Sequence, residues 1–245
     1  LGVIDRYCRD PAEAVKGMDF VLVAVPLGAI RGQLRAAVAG LDAAAVVSDV
    51  GSAKGSVAAD ARAVLPPSML SRFVPGHPIA GHERSGVDAA LPDLFRGRRV
   101  ILTPLEETAA AALELTRRVW TAAGASVSEM AVVHHDEVLA ATSHLPHMLA
   151  YGLVDTLSRW SDRDEIFQYA AGGFRDFTRI ASSDPVMWRD ICLHNREALV
   201  LALERYSRDL VNLTEAVRTS DGEALRACFE NAQATRERFL QQLER

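Results

Sequence analysis

Short unbroken apolar runs punctuate the first half of the chain. They are Phe20 to Pro26, Ala45 to Val50, Arg72 to Gly76, Arg99 to Pro104 and the shorter Ala125 to Met130. A run without polar alternation suits a parallel strand covered on both faces. Segments of helical character, Gly28 to Ala39, Lys54 to Val64 and Glu106 to Ala123, lie between several of them. Strand–helix alternation predicts right-handed βαβ units and a mostly parallel sheet. In such sheets ligands sit beyond the carboxyl ends of the strands. Pro26, Gly51-Ser52 and Gly76-His77-Pro78 fall at those ends.

From about Val132 the pattern becomes helical with few breaks. Val138, Leu139 and Leu145, then Leu149, Leu153 and Leu157, recur at helical spacings. Tyr169 to Phe174, with Gly172-Gly173, reads as a loop. Asp184-Pro185 reads as a helix start, with Asp as N-cap and Pro in the first turn. That helix is expected to run through Leu199 and Leu203 to about Asn212. Ser220 or Asp221 would cap a last helix ending near Leu243. The expected architecture is an α/β domain over 1–128 and an all-helical domain over 129–245. Long apolar helices at the C-terminus favour a homodimer over a monomeric bundle.

Composition narrows the class. With 245 residues, 49% hydrophobic and 24% charged, the chain can bury a sizeable core. A net charge of −5 gives no overall positive field for nucleic acid or an anionic membrane. No apolar run reaches the ~18 residues of a membrane span. Cys8, Cys192 and Cys228 are far apart and lack metal spacing, which reads as free thiols in a reducing cytoplasm. The chain opens on Leu1-Gly2-Val3-Ile4-Asp5, which reads like mid-domain sequence.

Four segments carry candidate chemistry. In Val74-Pro75-Gly76-His77-Pro78-Ile79-Ala80-Gly81, Pro78 restricts His77 to extended backbone and the glycines permit close approach. An imidazole there can accept a proton near neutral pH. In Asp49-Val50-Gly51-Ser52-Ala53-Lys54, Ser52 is either a helix N-cap or a hydroxyl that orients His77, and exposed amides there favour an anion. His144 and His147 are three apart and share a helix face. A zinc pair would need further ligands that no cysteine or HExxH pattern supplies, so a polar wall for an organic substrate is the better reading. His134-His135-Asp136 reads as a solvated helix start. Finally, Arg175 and Arg179 follow Gly172-Gly173 and precede Trp188, and a guanidinium can hold a carboxylate through two hydrogen bonds.

These segments together, in order and over nearly the whole chain, resemble the prephenate/arogenate dehydrogenase family. Their wording is most similar to the proteobacterial cyclohexadienyl dehydrogenases. The resemblance implies a Rossmann-type nucleotide-binding domain, here N-terminally incomplete, followed by an all-α dimerisation domain. It implies a cytoplasmic enzyme using NAD or NADP, with the nucleotide against Val25, Pro26, Leu27, Asp49 and Gly51. His77 corresponds to the catalytic histidine and Ser52 to the serine that hydrogen-bonds it. His144 and His147 match histidines lining the site, and Arg179 matches the arginine that holds a substrate carboxylate. Glu83 falls where the family has a gating ionic network with Arg179, Arg175 and Asp176. Gly172 lies in the same substrate segment, and Trp188 matches an aromatic that closes the site, from its own or the partner subunit.

The sequence departs from the pattern in two places. It has no GxGxxG, so a first strand and the pyrophosphate cradle are expected to be missing. His82 stands where Thr is usual. The missing loop favours a non-catalytic, dimeric homologue as the alternative, and the His77, Ser52 and Arg179 set opposes it. A 3-hydroxyacid dehydrogenase is disfavoured because the only lysines, Lys16 and Lys54, lie outside the helical half.

Overall fold

The structure, a computed structural model, describes residues 4–81, 86–161 and 163–243. A short helix α1 (Pro11–Ala14) leads into strand β1 (Phe20–Val23). Helix α2 (Ile30–Ala37), strand β2 (Val46–Asp49), helices α3 (Lys54–Val64) and α4 (Pro67–Leu70), and strands β3 (Phe73–Val74) and β4 (Gly76–Ile79) follow. Strand β5 (Arg99–Leu102), helix α5 (Ala110–Ala122) and strand β6 (Ser126–Glu129) complete the α/β part. The rest is helical: α6 (Val132–Leu139), α7 (Leu145–Ser158), α8 (Arg163–Gln168), α9 (Gly172–Thr178), α10 (Pro185–His194), α11 (Arg196–Arg218) and α12 (Gly222–Leu243).

The strands form two three-stranded sheets. β1, β2 and β3 are parallel, with Leu22 beside Ser48 and Ser48 beside Val74. β4 runs antiparallel to β5, with His77 opposite Ile101, and β5 pairs parallel with β6. The expected single, mostly parallel sheet is thus divided at Pro75. A proline has no N–H to give a ladder, and the chain passes through it from one sheet to the other. His77 accordingly sits inside an edge strand rather than in a loop beyond a strand end. Pro78 is tolerated there because an edge strand has one unpaired side.

Two apolar cores hold this frame. Ile30, Leu34, Val57, Ala61 and Phe73, all essentially inaccessible, pack helices α2 and α3 on the parallel layer. Each of the four larger side chains among them contributes roughly 1.5–3 kcal/mol by leaving water. The same core takes in Trp188 and Ile191 from α10, which ties the start of that helix to Leu27. Val74, Val100, Leu102, Ala112 and Trp120 form the second core under α5.

Helix starts follow local chemistry in part. Asp184 caps α10, its side chain accepting from Met187 N at 2.7 Å. Asp221 does the same for Ala224 N at 3.0 Å before α12. Three expectations need correction. Gly172 and Gly173 begin helix α9 rather than a loop. The helix from Pro185 is interrupted at Asn195, whose backbone (φ −111°, ψ 36°) leaves the helical region. Ser52 does not cap α3; Ala53 holds that position, and the cap comes from a carboxylate far along the chain. The chain divides into two compact units between Leu199 and Val200.

Candidate active site

The site begins with β4. Two prolines flank Gly76-His77, and a buried ion pair fixes their backbone. Lys54 Nζ donates to Asp49 Oδ2 at 2.5 Å and to Gly76 O at 2.6 Å, while Asp49 also accepts from Gly51 N and Gly76 N. Both side chains are fully buried. Burial pulls the Lys54 ammonium below its ordinary value, and Asp49 opposes that pull. Buried charges persist only when paired and hydrogen-bonded in this way, so the residues just before His77 are held rigidly.

His77 Nδ1 lies 2.9 Å from Nε2 of His135, the rings meeting edge-on. His135 Nδ1 in turn donates to Asp136 Oδ1 at 2.8 Å. Asp136 reaches across to the start of α3, accepting from Lys54 N and Gly55 N, each at 2.8 Å. Burial would raise its carboxyl, but the bonds from His135 and the two amides outweigh this and hold it below the ordinary carboxylate value. His134 is solvated as expected, whereas His135 is fully buried. The adjacent His-Asp pair was visible in the sequence. So was the spacing that puts His135 on the same helix face as buried Leu139.

A π-helical turn, Ala140–His144, follows α6. Such turns recur at functional sites because they shift the facing of successive side chains. Here the turn delivers His144, fully buried, and leads into α7 with His147. Asn195 Nδ2 donates one N–H to Asp136 O at 2.8 Å and the other to His144 Nδ1 at 3.0 Å. His144 therefore carries its proton on Nε2. Burial pushes its pKa down to about 4, Asp136 opposing the shift and His135 and His147 adding to it. His147 donates from Nδ1 to Ser143 O at 2.9 Å and stacks on Trp188 at 3.5 Å between ring centres. Burial lowers its pKa as well. His77 is depressed well below the ordinary histidine value, first by burial and then by the charges of Lys54, His135 and His144.

A cavity of about 670 Å³ unites these groups. His77, His144, His147, Ser52 and Trp188 all line it. Leu22, Ala24 and Val50 close the side formed by the ends of β1 and β2, and Ile180, Met187 and Ile191 close the helical side. The indole Nε1 of Trp188 is buried without a partner among the described residues. Trp188 belongs to the cavity of its own chain.

Other expected residues stand elsewhere. Ser52 lines the cavity, but His77 Nδ1 is engaged by His135 rather than by its hydroxyl. Val25, Pro26, Leu27, Asp49 and Gly51 do not line this cavity. Leu27 is turned into the core and Asp49 is consumed by the ion pair, and their neighbours Ala24, Val50 and Ser52 face the space instead. Gly172 and Arg175 are exposed, Arg175 at 83% and 3.6 Å from Asp176. Arg179 is exposed and next to cavity-lining Ile180. Glu83 and His82 lie outside the described residues.

A parallel layer with helices packed on it, a histidine-walled cavity at its strand ends and a helical second half define a class: an α/β nucleotide-binding domain joined to a helical domain. The chain belongs to the prephenate dehydrogenase family. Residues 1–129 match its nucleotide-binding domain and residues 132–231 its dimerization domain. Cyclohexadienyl dehydrogenase of Zymomonas mobilis is 39% identical over 96% of this chain and 80% of its own length. Prephenate dehydrogenase of Aquifex aeolicus superposes with a TM-score of 0.87 at 38% identity, covering 96% of this chain and 83% of that one. The A. aeolicus enzyme in complex with hydroxyphenyl propionate and NAD+ superposes at 0.85 with 39% identity, covering 93% and 78%.

Proposed function

We propose that the protein catalyses the oxidative decarboxylation of prephenate, arogenate or both, with NAD(P)+ as oxidant, giving 4-hydroxyphenylpyruvate or tyrosine. The observation that carries this reading is a neutral imidazole, His77, in one cavity with His144, His147 and Trp188, in a chain of this family. An intact cluster of this kind stands against a non-catalytic homologue.

The cavity fits the nucleotide's reactive end. Ala24, Val50 and Ser52 give a small, mostly apolar wall beside His77, and the volume falls in the range of pockets that enclose drug-sized ligands. When bound there, NAD(P)+ supplies the hydride acceptor for the carbinol hydrogen. His77 accepts the hydrogen bond of the ring hydroxyl and takes its proton as the C–O bond gains double-bond character. The bond from the ring to its carboxylate then breaks, CO2 leaves, and the released electron pair completes the aromatic ring. The proton returns from His77 to the phenolate oxygen. His144, with its N–H on Nε2, offers a donor to a substrate oxygen, and Arg179 holds a carboxylate. Because aromatisation drives the reaction, the protein's task is mainly orientation.

The protein acts as a homodimer through its helical half, consistent with the dimerization-domain match. Its separated free thiols suit the cytoplasm. Among the described residues no helix is long and apolar enough to cross a membrane. Initial rates with prephenate and arogenate, each against NAD+ and NADP+, test the reading. One or more combinations should turn over with NAD(P)H and CO2 formed in equal amounts. No turnover with any of the four would refute it.

A further inference from the structure

We propose that His135 and Asp136 are positioning residues that set the tautomer of His77, placing its proton on Nδ1 and leaving the lone pair on Nε2. The use of that lone pair on a substrate hydroxyl rests on the dehydrogenase reading; the tautomer itself does not.

The argument runs through three side chains. An ionised carboxylate can only accept. Asp136 stays ionised because three N–H groups point at it, from His135, Lys54 and Gly55. Its Oδ1 lies 2.8 Å from His135 Nδ1, so the ring proton of His135 sits there. With one proton on the ring, His135 presents a lone pair at Nε2. That atom is 2.9 Å from His77 Nδ1, where a second lone pair would be repelled, so His77 must donate. A neutral imidazole has one N–H, and the position of one hydrogen bond fixes the role of the other nitrogen. Free histidine favours the opposite form, with its proton on Nε2, which could not accept a hydroxyl proton at that nitrogen.

The anchoring is as informative as the chain of bonds. Asp136 is locked to the first amides of α3, the helix that follows Ser52. Oxygen from one helix thus fixes both the tautomer of the base and the loop facing it across the cavity. Asn195 performs the converse service for His144, so two imidazoles in one cavity are held in opposite tautomers.

Nitrogen NMR of histidine-labelled intact protein reads the tautomer directly, with the His77 signals assigned by their loss in His77→Asn. Wild type and His135→Gln, which keeps an acceptor, should show His77 protonated on Nδ1. His135→Leu, which fills space without an acceptor, should shift it towards the Nε2 form. In turnover, His135→Leu should lose ~10²-fold in kcat with KM little changed, and His135→Gln should recover most of it. His77 protonated on Nε2 in wild type would overturn the proposal, and that result does not depend on either His135 variant folding. So would equal losses in the two variants, the mark of a merely structural histidine. If the tautomer is as stated but neither prephenate nor arogenate reacts, the functional reading fails and the positioning stands.

Discussion

Individual residues divide by how local their roles are. His77 is marked by its glycine and proline neighbours, and His144 and His147 by their spacing, so their places could be read from the sequence. The roles of His135, Asp136 and Asn195 could not, because each acts on a partner distant in the chain: 58 residues for His77 with His135, 82 for Lys54 with Asp136, 51 for His144 with Asn195. The depressed pKa of His144 has a consequence for stability. Above the ordinary histidine value of 6.5 the ring is neutral folded or unfolded; below it the unfolded ring takes a proton that the folded one refuses until about pH 4. Stability should therefore fall as pH drops through this window, by about 3 kcal/mol for this group. Between pH 6.5 and pH 4 the urea midpoint of wild type should fall further than that of His144→Gln, and parallel profiles would dismiss the shift. Arg179→Ala should raise KM for the dianionic substrate far more than it lowers kcat. A pure kcat loss in steady-state kinetics would argue against carboxylate binding.

At the level of elements, the junction of α6 with α3 shows how the site is built. Gly55 lets Asp136 approach, since a Cβ at that position would stand 2.9 Å from Asp136 Oδ2. Elsewhere in a helix, replacing glycine with alanine gains roughly 0.5–1 kcal/mol. Here Gly55→Ala should destabilise by about 1–2 kcal/mol, the value of a lost cap. Chemical denaturation gives the sign, and a stabilised variant would mean that the cap contributes little. The strand–helix alternation was legible because each run is long and apolar. The division of the sheet at Pro75 was not, because Arg72 to Gly76 reads as one strand until the pairing partners are known. The break at Asn195 was hidden for a similar reason: the residues on either side keep helical spacing, and only the bonds to Asp136 and His144 show why the turn is there. The π turn before His144 likewise leaves no mark in apolar spacing.

At the scale of the whole molecule, the second compact unit carries large exposed apolar side chains. Leu210, Val211 and Val217 on α11, and Phe229, Phe239 and Leu240 on α12, are accessible in the single chain. A monomer seldom leaves this much apolar surface to water, and the matched domain is one of dimerization. Phe229→Glu should convert a dimer into a monomer by light scattering, and an unchanged mass would place the interface elsewhere. The central claim concerns one imidazole, and the most direct measurement of it is steady-state oxidation of prephenate by wild type and His77→Asn. The account predicts a loss in kcat of ~10²–10⁴-fold with KM nearly unchanged. Equal turnover by the two proteins would contradict it.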